Sequence, residues 1–416
     1  MSVDGTRRAE ILETAARLFA TGGVRTSLQE IADACGILPG SLYHHFESKE
    51  AIIIELIERY QADLDHVAET ALDDLKRTDA RAAQDRVLAL ATAVAACAVR
   101  NRAALLLTFY DPPTVASDEL VHLARRSPAA VERAMLDTLR LAQSSGYLRS
   151  RIDASLLADR LVQAMLHIGI GVSHETPGAE QVPAFRCSIL LNGVAGRPPA
   201  DSALNRSEAL QAADRVIRSW DERDGGAEGE KAALIRSVAR AEFARRGYEA
   251  TTIRDVAAAA GLSTAAVYRL VRSKDELLMS IMRSYSDSVT EGWDAVTTSK
   301  ATAVEKLDAL MWFNINVLDR FSEEYKIQIA SLPRQPPTST NLGMSFPAQL
   351  RKVRTVLNEG ARAGELRMEK SSADMRARSV FALLWMPENI VRQGTRGALA
   401  LARDTVLRGA AEHAKR

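Results

Sequence analysis

The sequence predicts an all-α protein built from two similar helical repeats. Apolar residues recur at helical spacing through most of the chain, as in residues 7–23, "RRAEILETAARLFATGG". No segment shows the alternation of apolar and polar residues that is typical of a half-buried strand. Two stretches of similar order, "GILPGSLYHHFESKEA" and "GLSTAAVYRLVRSKDEL", begin 225 residues apart, at Gly36 and Gly261. Such self-similarity favours a duplicated fold over a single large domain.

Further matches between the two halves fix the limits of the repeats. Gly146-Tyr-Leu-Arg149 matches Gly364-Glu-Leu-Arg367, and Asn192-Gly193 matches Arg408-Gly409. We therefore place repeat 1 at residues 1–196, a linker that contains a helix at 197–229, and repeat 2 at 230–416. One face of the linker helix is apolar, so we expect it to pack against a repeat instead of forming a flexible tether. That face consists of Leu210, Ala213, Ile217 and Trp220.

The composition is that of a soluble globular protein. Apolar residues make up 47% of the 416 residues, charged residues make up 26%, and the net charge is +1. No apolar run approaches the roughly 18 residues of a membrane helix, and the three scattered cysteines fit a reducing compartment. We therefore expect a cytoplasmic protein that does not contact a membrane, and any contact with a polyanion must be made by a local patch.

The segment 27–46, "SLQEIADACGILPGSLYHHF", predicts a helix-turn-helix. Gly36 permits the turn between the two short helices. Burial of Ile31, Ile37 and Leu42 would leave the opposite side of the second helix exposed. A helix presented in this way fits the DNA major groove, with its first turn aimed at base edges.

These residues carry a resemblance to a known family. A helix that ends in Phe-x-x-x-Gly is followed by Ile-Ala, Gly, Leu-Tyr-x-x-Phe and Ser-Lys-Glu. This order resembles the DNA-binding domain of the TetR family of regulators over residues 6–60 and, less closely, over 231–285. The helix-turn-helix units themselves span about 6–50 and 231–275. Fused two-domain members of this family occur in actinobacteria, and the chain is similar to them.

The resemblance implies which residues contact DNA. In repeat 1 the recognition helix would present Gly40, Ser41, Tyr43 and His44, while Tyr43, Lys49 and Ser27 would contact backbone phosphates. The matching positions in repeat 2 are Thr252, Thr264, Ala265, Ala266, Tyr268, Arg269 and Lys274.

The two helix-turn-helix units differ from each other and from the family pattern. Leu38-Pro39 replaces the usual serine before the first recognition helix, so a side-chain cap is lost there, whereas repeat 2 keeps Ser263-Thr264. Residues 1–50 hold five Lys/Arg against seven Asp/Glu, and residues 230–275 hold nine against five. We expect different base preferences, with repeat 2 supplying more of the salt-sensitive attraction to phosphate.

The resemblance also implies a dimer built from long helices, at about 128–145 and 154–170 in repeat 1 and at 348–363 and 372–386 in repeat 2. We expect the two repeats to pair within one chain as a pseudo-dimer and to bind an asymmetric operator. The alternatives are pairing with another chain as a homodimer, with further oligomers, and a helical ligand-binding or scaffold protein whose DNA binding is lost or one-sided.

Family members usually hold a small ligand in the helical domain, so the function expected is a repressor that such a ligand releases. The aromatic content of repeat 2 favours, by analogy, an apolar effector such as a lipid, sterol or acyl thioester. No catalytic, metal-binding or cofactor motif stands out, and we expect no enzyme activity, metal or cofactor. The candidate lining residues are Phe109, Tyr110, Met165 and His167 in repeat 1, with Leu105 and Leu106, and Trp312, Phe313, Phe381 and Trp385 in repeat 2, with Phe321.

Overall fold

The computed structural model describes residues 3–23, 26–77, 82–108, 116–171, 178–223, 229–331 and 346–412. Regular structure in these ranges is helical, and β-type pairing is confined to isolated bridges. No helix in these ranges combines the length and the apolar character needed to cross a membrane. The all-α class predicted from helical periodicity is therefore confirmed.

The first half of the chain contains ten α-helices among its described residues, with a 3₁₀ turn at Ala179–Gln181. They are α1 (Val3–Gly22), α2 (Leu28–Cys35), α3 (Pro39–Tyr43), α4 (Lys49–Lys76), α5 (Ala83–Arg100), α6 (Arg102–Leu107), α7 (Asp118–Arg125), α8 (Ala129–Ser144), α9 (Ala154–Gly171) and α10 (Val182–Asn192).

The linker and the second half follow the same plan. The linker contributes α11 (Asp201–Leu204) and α12 (Glu208–Arg223), and the last helical segment is π-helical, Arg403–Leu407. The remaining helices are α13 (Glu230–Arg246), α14 (Ile253–Ala259), α15 (Thr264–Tyr268), α16 (Lys274–Thr297), α17 (Ala303–Arg320), α18 (Ser322–Ser331), α19 (Phe346–Arg362), α20 (Ala373–Leu383), α21 (Glu388–Val391) and α22 (Thr395–Ala402).

The linker helix α12 packs on α16 and α17 of repeat 2. Trp220 meets the rings of Phe313 and Phe321 edge to face, at centroid distances of 5.6 and 5.1 Å. The indole N–H of Trp312 donates to the carboxylate of Asp214 at 2.7 Å. The predicted apolar face is buried except at Ile217, which is half-buried. The linker helix is thus packed along its length, as the sequence predicted.

The carboxyl-terminal ends of the two repeats exchange backbone hydrogen bonds. The Ala195 N–H donates to the Leu407 carbonyl at 3.0 Å, and the Ala411 N–H donates to the Leu191 carbonyl at 2.8 Å. Isolated antiparallel bridges join Leu148 to Ala411 and Leu366 to Ala195. Since Leu148 matches Leu366 and Ala195 matches Ala411 in the repeat, each half gives the other the same contact, as in an interface with a local two-fold axis.

Of the four helices that we predicted for this contact, α9 and α20 take part in it, whereas α8 and α19 do not form its main part. The long helices α8 and α19 pack mainly within their own repeats. The contact is formed by α10 against α20 and the π-helical segment, together with Arg160 of α9, whose guanidinium donates to the Leu383 carbonyl at 2.8 Å. The physical reason is burial: α10 is short but apolar around most of its circumference, so it must be covered from several sides.

Candidate nucleic-acid interface and effector cavity

Local hydrogen bonds fix the first helix-turn-helix. Ser27 caps α2: its hydroxyl accepts from the Glu30 N–H at 3.1 Å, and the Glu30 carboxylate accepts from the Ser27 N–H at 2.7 Å. The Ser27 N–H and the Ser27 hydroxyl, which donates to the same carboxylate at 2.8 Å, lower the pKa of Glu30 because they favour its charged form. Gly36 ends α2 with φ of +65°, in the left-handed region that glycine occupies without strain. Two fully buried side chains, Ile31 and Leu42, then hold α3 against α2.

The outer surface of α3 carries the residues predicted to meet DNA. Gly40, Ser41, Tyr43 and His44 are exposed, and Tyr43 is 55% exposed in spite of its large ring. Beneath them, Phe46 is buried, with the Arg8 guanidinium 4.4 Å from its ring centroid. Lys49 is the first residue of α4 and is half-buried next to the Ser48 cap.

Repeat 2 presents its recognition helix, α15, in the same way. We call the recognition helix of each repeat, with the residues that flank it, the tip of that repeat. Thr252 caps α14 and exchanges hydrogen bonds with Asp255, and Val267 is buried beneath α15. Ala265, Tyr268 and Arg269 are exposed, whereas Thr264 and Ala266 are half-buried. Lys274 is the first residue of α16, and its ammonium lies 4.1 Å from the centroid of the Tyr248 ring.

The two tips differ in capping and in anchoring. Leu38 precedes α3 without a side-chain cap and is 75% exposed, whereas the Ser263 hydroxyl accepts from the Ala266 N–H at 3.2 Å. The structure therefore shows the uncapped helix start that the sequence predicted in repeat 1. Val271, at the place of the buried Phe46, is only half-buried.

Exposed arginines separate the two tips electrostatically. Arg254, Arg269 and Arg272 are exposed around α14 and α15, and within the described ranges no ion pair engages their guanidinium groups. The matching positions of repeat 1 hold Gln29, His44 and Glu47. The resemblance assigned a role to Arg269 alone. The signal for the other two was the difference in charge between the halves, and the structure shows that all three are exposed.

A cavity of about 240 Å³ opens in the helical part of repeat 1. Apolar side chains and hydrogen-bonding groups from α4, α6, α7, α9 and the segments that follow α6 and α7 surround it. Its lining residues are Tyr60, Gln61, Leu64, Leu105, Thr108, Ala124, Arg126, Pro128, Gln163, Leu166, His167 and Ile170.

The side chain of His167 lines this cavity and is exposed to the space inside it, with buried neighbours on α9. Burial lowers its pKa to about 4, and the nearby Arg186 guanidinium adds to this shift. The imidazole is therefore neutral near pH 7 and can donate one hydrogen bond and accept one. Met165 is buried and does not line the cavity, and Phe109 and Tyr110 fall outside the described residues.

The candidate lining residues of repeat 2 pack against protein. Phe313 is fully buried, with its ring over the backbone of Gly292. The Trp312 ring is covered by the Arg396 guanidinium at 4.4 Å. The rings of Trp385 and Tyr325 stack at 4.6 Å, and those of Phe381 and Trp293 lie 5.6 Å apart.

Fold and site together define a duplicated, all-helical protein with an exposed recognition helix at the start of each half. A family model described as "Bacterial regulatory proteins, tetR family" matches the chain twice, at residues 11–56 and 235–281. Both matches cover the helix-turn-helix units and the start of the following helix. The chain thus carries two regions that match this family, an arrangement consistent with a tandem form.

Curated relatives match over short segments, so that the chain spans less than a third of the length of the two named here. The transcriptional repressor KstR2 of Rhodococcus jostii is 54% identical over 59 residues, which is 14% of this chain and 29% of that protein. The regulator TtgR of Pseudomonas putida is 39% identical over 62 residues, which is 15% of this chain and 30% of that protein. The structure of the ketosteroid transcriptional regulator KstR2 of Mycobacterium tuberculosis aligns with 27% identity and a TM-score of 0.36, over 43% of this chain and 89% of that one.

Proposed function

We propose that the chain is a sequence-specific DNA-binding transcriptional regulator. The observation that carries this proposal is the exposure of two recognition helices, α3 and α15, one in each TetR-family region. Each follows a helix, α2 or α14, whose first turn is capped and whose inner face is buried. Tyr43 and Tyr268 are more than half exposed at matching positions, which a purely structural helix pair does not require. The residues that we assign to DNA are those predicted from the sequence, with Arg254 and Arg272 added in repeat 2.

The two repeats act as a pseudo-dimer within one chain. Reciprocal backbone contacts between 190–195 and 406–411 support this pairing, and so does the linker helix, which packs on repeat 2. We keep the predicted division of the chain into repeat 1 (1–196), the linker (197–229) and repeat 2 (230–416). Fusion gives each repeat a high effective concentration of its partner, and unlike tips suit an asymmetric operator.

We further propose that a small molecule releases the protein from DNA, so that it acts as a repressor. The name of the Rhodococcus relative, a transcriptional repressor, supports this sign of regulation. The cavity beside α4 supports a ligand site in repeat 1. Because α4 follows the recognition helix directly, a ligand that prefers one position of α4 would shift the population of DNA-binding conformations.

The stoichiometry of the DNA complex tests the pairing. Operator duplexes selected from a random pool would be titrated with the protein, and the mass of the complex would be measured by sedimentation. We expect one chain per operator. Two chains on the shortest sufficient duplex would show pairing between chains and would overturn the intramolecular pseudo-dimer.

Paired substitutions test DNA binding itself. We expect Tyr43→Ala with Lys49→Ala, and Tyr268→Ala with Lys274→Ala, each to weaken operator binding. Each pair should also reduce the slope of log K against log salt by about 0.9 for every phosphate that the protein no longer neutralises. Arg133→Ala, which removes an exposed charge from α8, is the control. If neither pair changes affinity, the helix-turn-helix units do not bind DNA and a scaffold or ligand-binding protein is the better description.

A further inference from the structure

We propose that effector binding is confined to repeat 1. Its cavity takes a small amphipathic molecule with an apolar body and a hydrogen-bond-accepting or anionic head, while aromatic side chains occupy the corresponding positions among the described residues of repeat 2. This inference rests on the proposed function for its regulatory meaning, although the difference between the two spaces does not depend on DNA binding.

Helix limits establish which positions correspond. The helices α5 and α17 have the same length, and α6 packs on α1 as α18 packs on α13. Counting from these helices places Tyr325 at the position of Leu105, which lines the cavity. When the repeats are aligned on Gly146 and Gly364, which follow α8 and α19, Trp385 matches His167. When they are aligned on the first residues of α9 and α20, Trp385 matches Leu166. Both of these residues line the cavity.

At these positions repeat 2 places two half-buried aromatic rings in contact with each other. Tyr325 and Trp385 stack with an interplanar angle of 25° and a centroid distance of 4.6 Å. Tyr285, which matches the cavity residue Tyr60, donates its hydroxyl to the Gln328 amide oxygen at 2.8 Å. A buried tyrosine with a satisfied hydroxyl and two stacked rings leave a ligand little to gain by entering.

The linker helix reinforces this filling. Trp220 packs edge to face on Phe321, and Phe321 packs in turn on Tyr285 at 5.8 Å. In repeat 1 the position of Phe321 is taken by Asn101, whose amide donates to Asp63 at 2.8 Å. The linker helix therefore braces repeat 2 in one packing arrangement.

The cavity lining indicates the chemistry of the ligand. Its described residues include no acidic side chain, whereas His167 and Gln163 supply donors beside apolar neighbours. The Gln61 amide already donates to the Arg126 carbonyl at 3.4 Å. Arg186 is buried close enough to His167 to lower the pKa of that imidazole, and its Nε has no hydrogen-bond partner among the described atoms. A buried positive group beside a lining without carboxylates favours a ligand with an acceptor or a negative charge.

The anionic naphthalene dye 1-anilinonaphthalene-8-sulfonate is a suitable probe, because it combines an apolar body with a sulfonate. Titration of the full-length protein without DNA, followed by dye fluorescence, should give one saturable site per chain. Leu105→Tyr with His167→Trp, which copies repeat 2 into repeat 1, should abolish this site. Tyr325→Leu with Trp385→His, which copies repeat 1 into repeat 2, should leave it in place and add a second one.

A milder variant guards against misfolding of the filled cavity. Gln163→Leu keeps the volume and removes a donor, and we expect about tenfold weaker dye binding. Equal dye binding in the wild type and in both repeat 1 variants would overturn the proposal, as would two saturable sites in the wild type. Operator binding measured separately on the same proteins would show whether the DNA-binding function stands regardless of this result.

Discussion

Gly193 and Gly409 face each other across the contact between the two repeats, each in the space that a side chain on the other would need. A Cβ on Gly193 would lie 2.5 Å from the Gly409 nitrogen, and a Cβ on Gly409 would lie 2.5 Å from the Gly193 nitrogen. Their φ angles are +72° and +77°. The two halves approach backbone to backbone here, which only glycine permits.

We expect Gly193→Ala and Gly409→Ala each to destabilise the protein by more than the ~1–2 kcal/mol that a left-handed conformation costs an alanine. The excess comes from the backbone clash, which must push the repeats apart. Urea unfolding monitored by circular dichroism would measure the loss.

Gly146→Ala is the matched control, because Gly146 has φ of +76° but open space around its Cβ position. This substitution should lower the free energy of unfolding only by the cost of placing an alanine in a left-handed conformation. Equal losses for Gly146→Ala and Gly193→Ala would contradict close approach at the contact.

The unequal caps of the recognition helices give a second prediction. Leu38→Ser should stabilise the free protein by about 0.5–1 kcal/mol, because it supplies the missing acceptor at an exposed position. Ser263→Ala should destabilise it by about 1 kcal/mol, since an existing cap is removed. Thermal unfolding of both variants measures these changes, and shifts of the same sign would refute the assignment of the caps.

His167 predicts a dependence of stability on pH. Its pKa is lowered to about 4 in the fold, so between that value and about 6.5 the unfolded chain binds more protons than the folded one. Stability should therefore fall as the pH drops from about 6.5 toward 4. In His167→Asn the decline should be shallower over that range, as measured by urea unfolding at several pH values. An unchanged pH profile would show that the imidazole titrates normally.

A buried ion pair anchors the carboxyl-terminal segment. The Arg403 guanidinium donates to both carboxylate oxygens of Asp308, at 2.8 and 2.9 Å, and both side chains are buried. Asp308→Ala should cost about 3 kcal/mol, because the buried Arg403 guanidinium loses both of these hydrogen bonds. Among the described residues it keeps only Asp201, at 3.5 Å, and the Asn205 amide oxygen as partners.

Replacing both members of the pair distinguishes two contributions: the loss of the Asp308–Arg403 interaction, and the penalty for leaving the Arg403 charge buried without Asp308. Asp308→Leu with Arg403→Met should recover most of the stability in denaturant unfolding, because neither charge remains to be desolvated. A double variant as unstable as Asp308→Ala would mean that the pair itself, and not the orphaned arginine, supplies the stabilisation.

Local patterns in the chain were sufficient for much of the site. The serine before α2, the glycine turn and the alternation of Leu42 with exposed neighbours predicted the tip that the fold shows. The pairing helices were predicted less well. Helix length predicted α8, α9, α19 and α20, of which α9 and α20 take part. The central helix α10 was missed because it is short and its burial depends on surfaces contributed by residues about 200 positions away.

The sequence by itself determined the helical class, the duplication and the two recognition helices, because helical periodicity, caps and turns act over a few residues. The tertiary structure alone decided that Gly193 meets Gly409, and that repeat 1 keeps a cavity where Tyr325 and Trp385 stack in repeat 2. Those features are contacts between distant segments, and whether apolar side chains leave a space or fill one depends on how the helices pack.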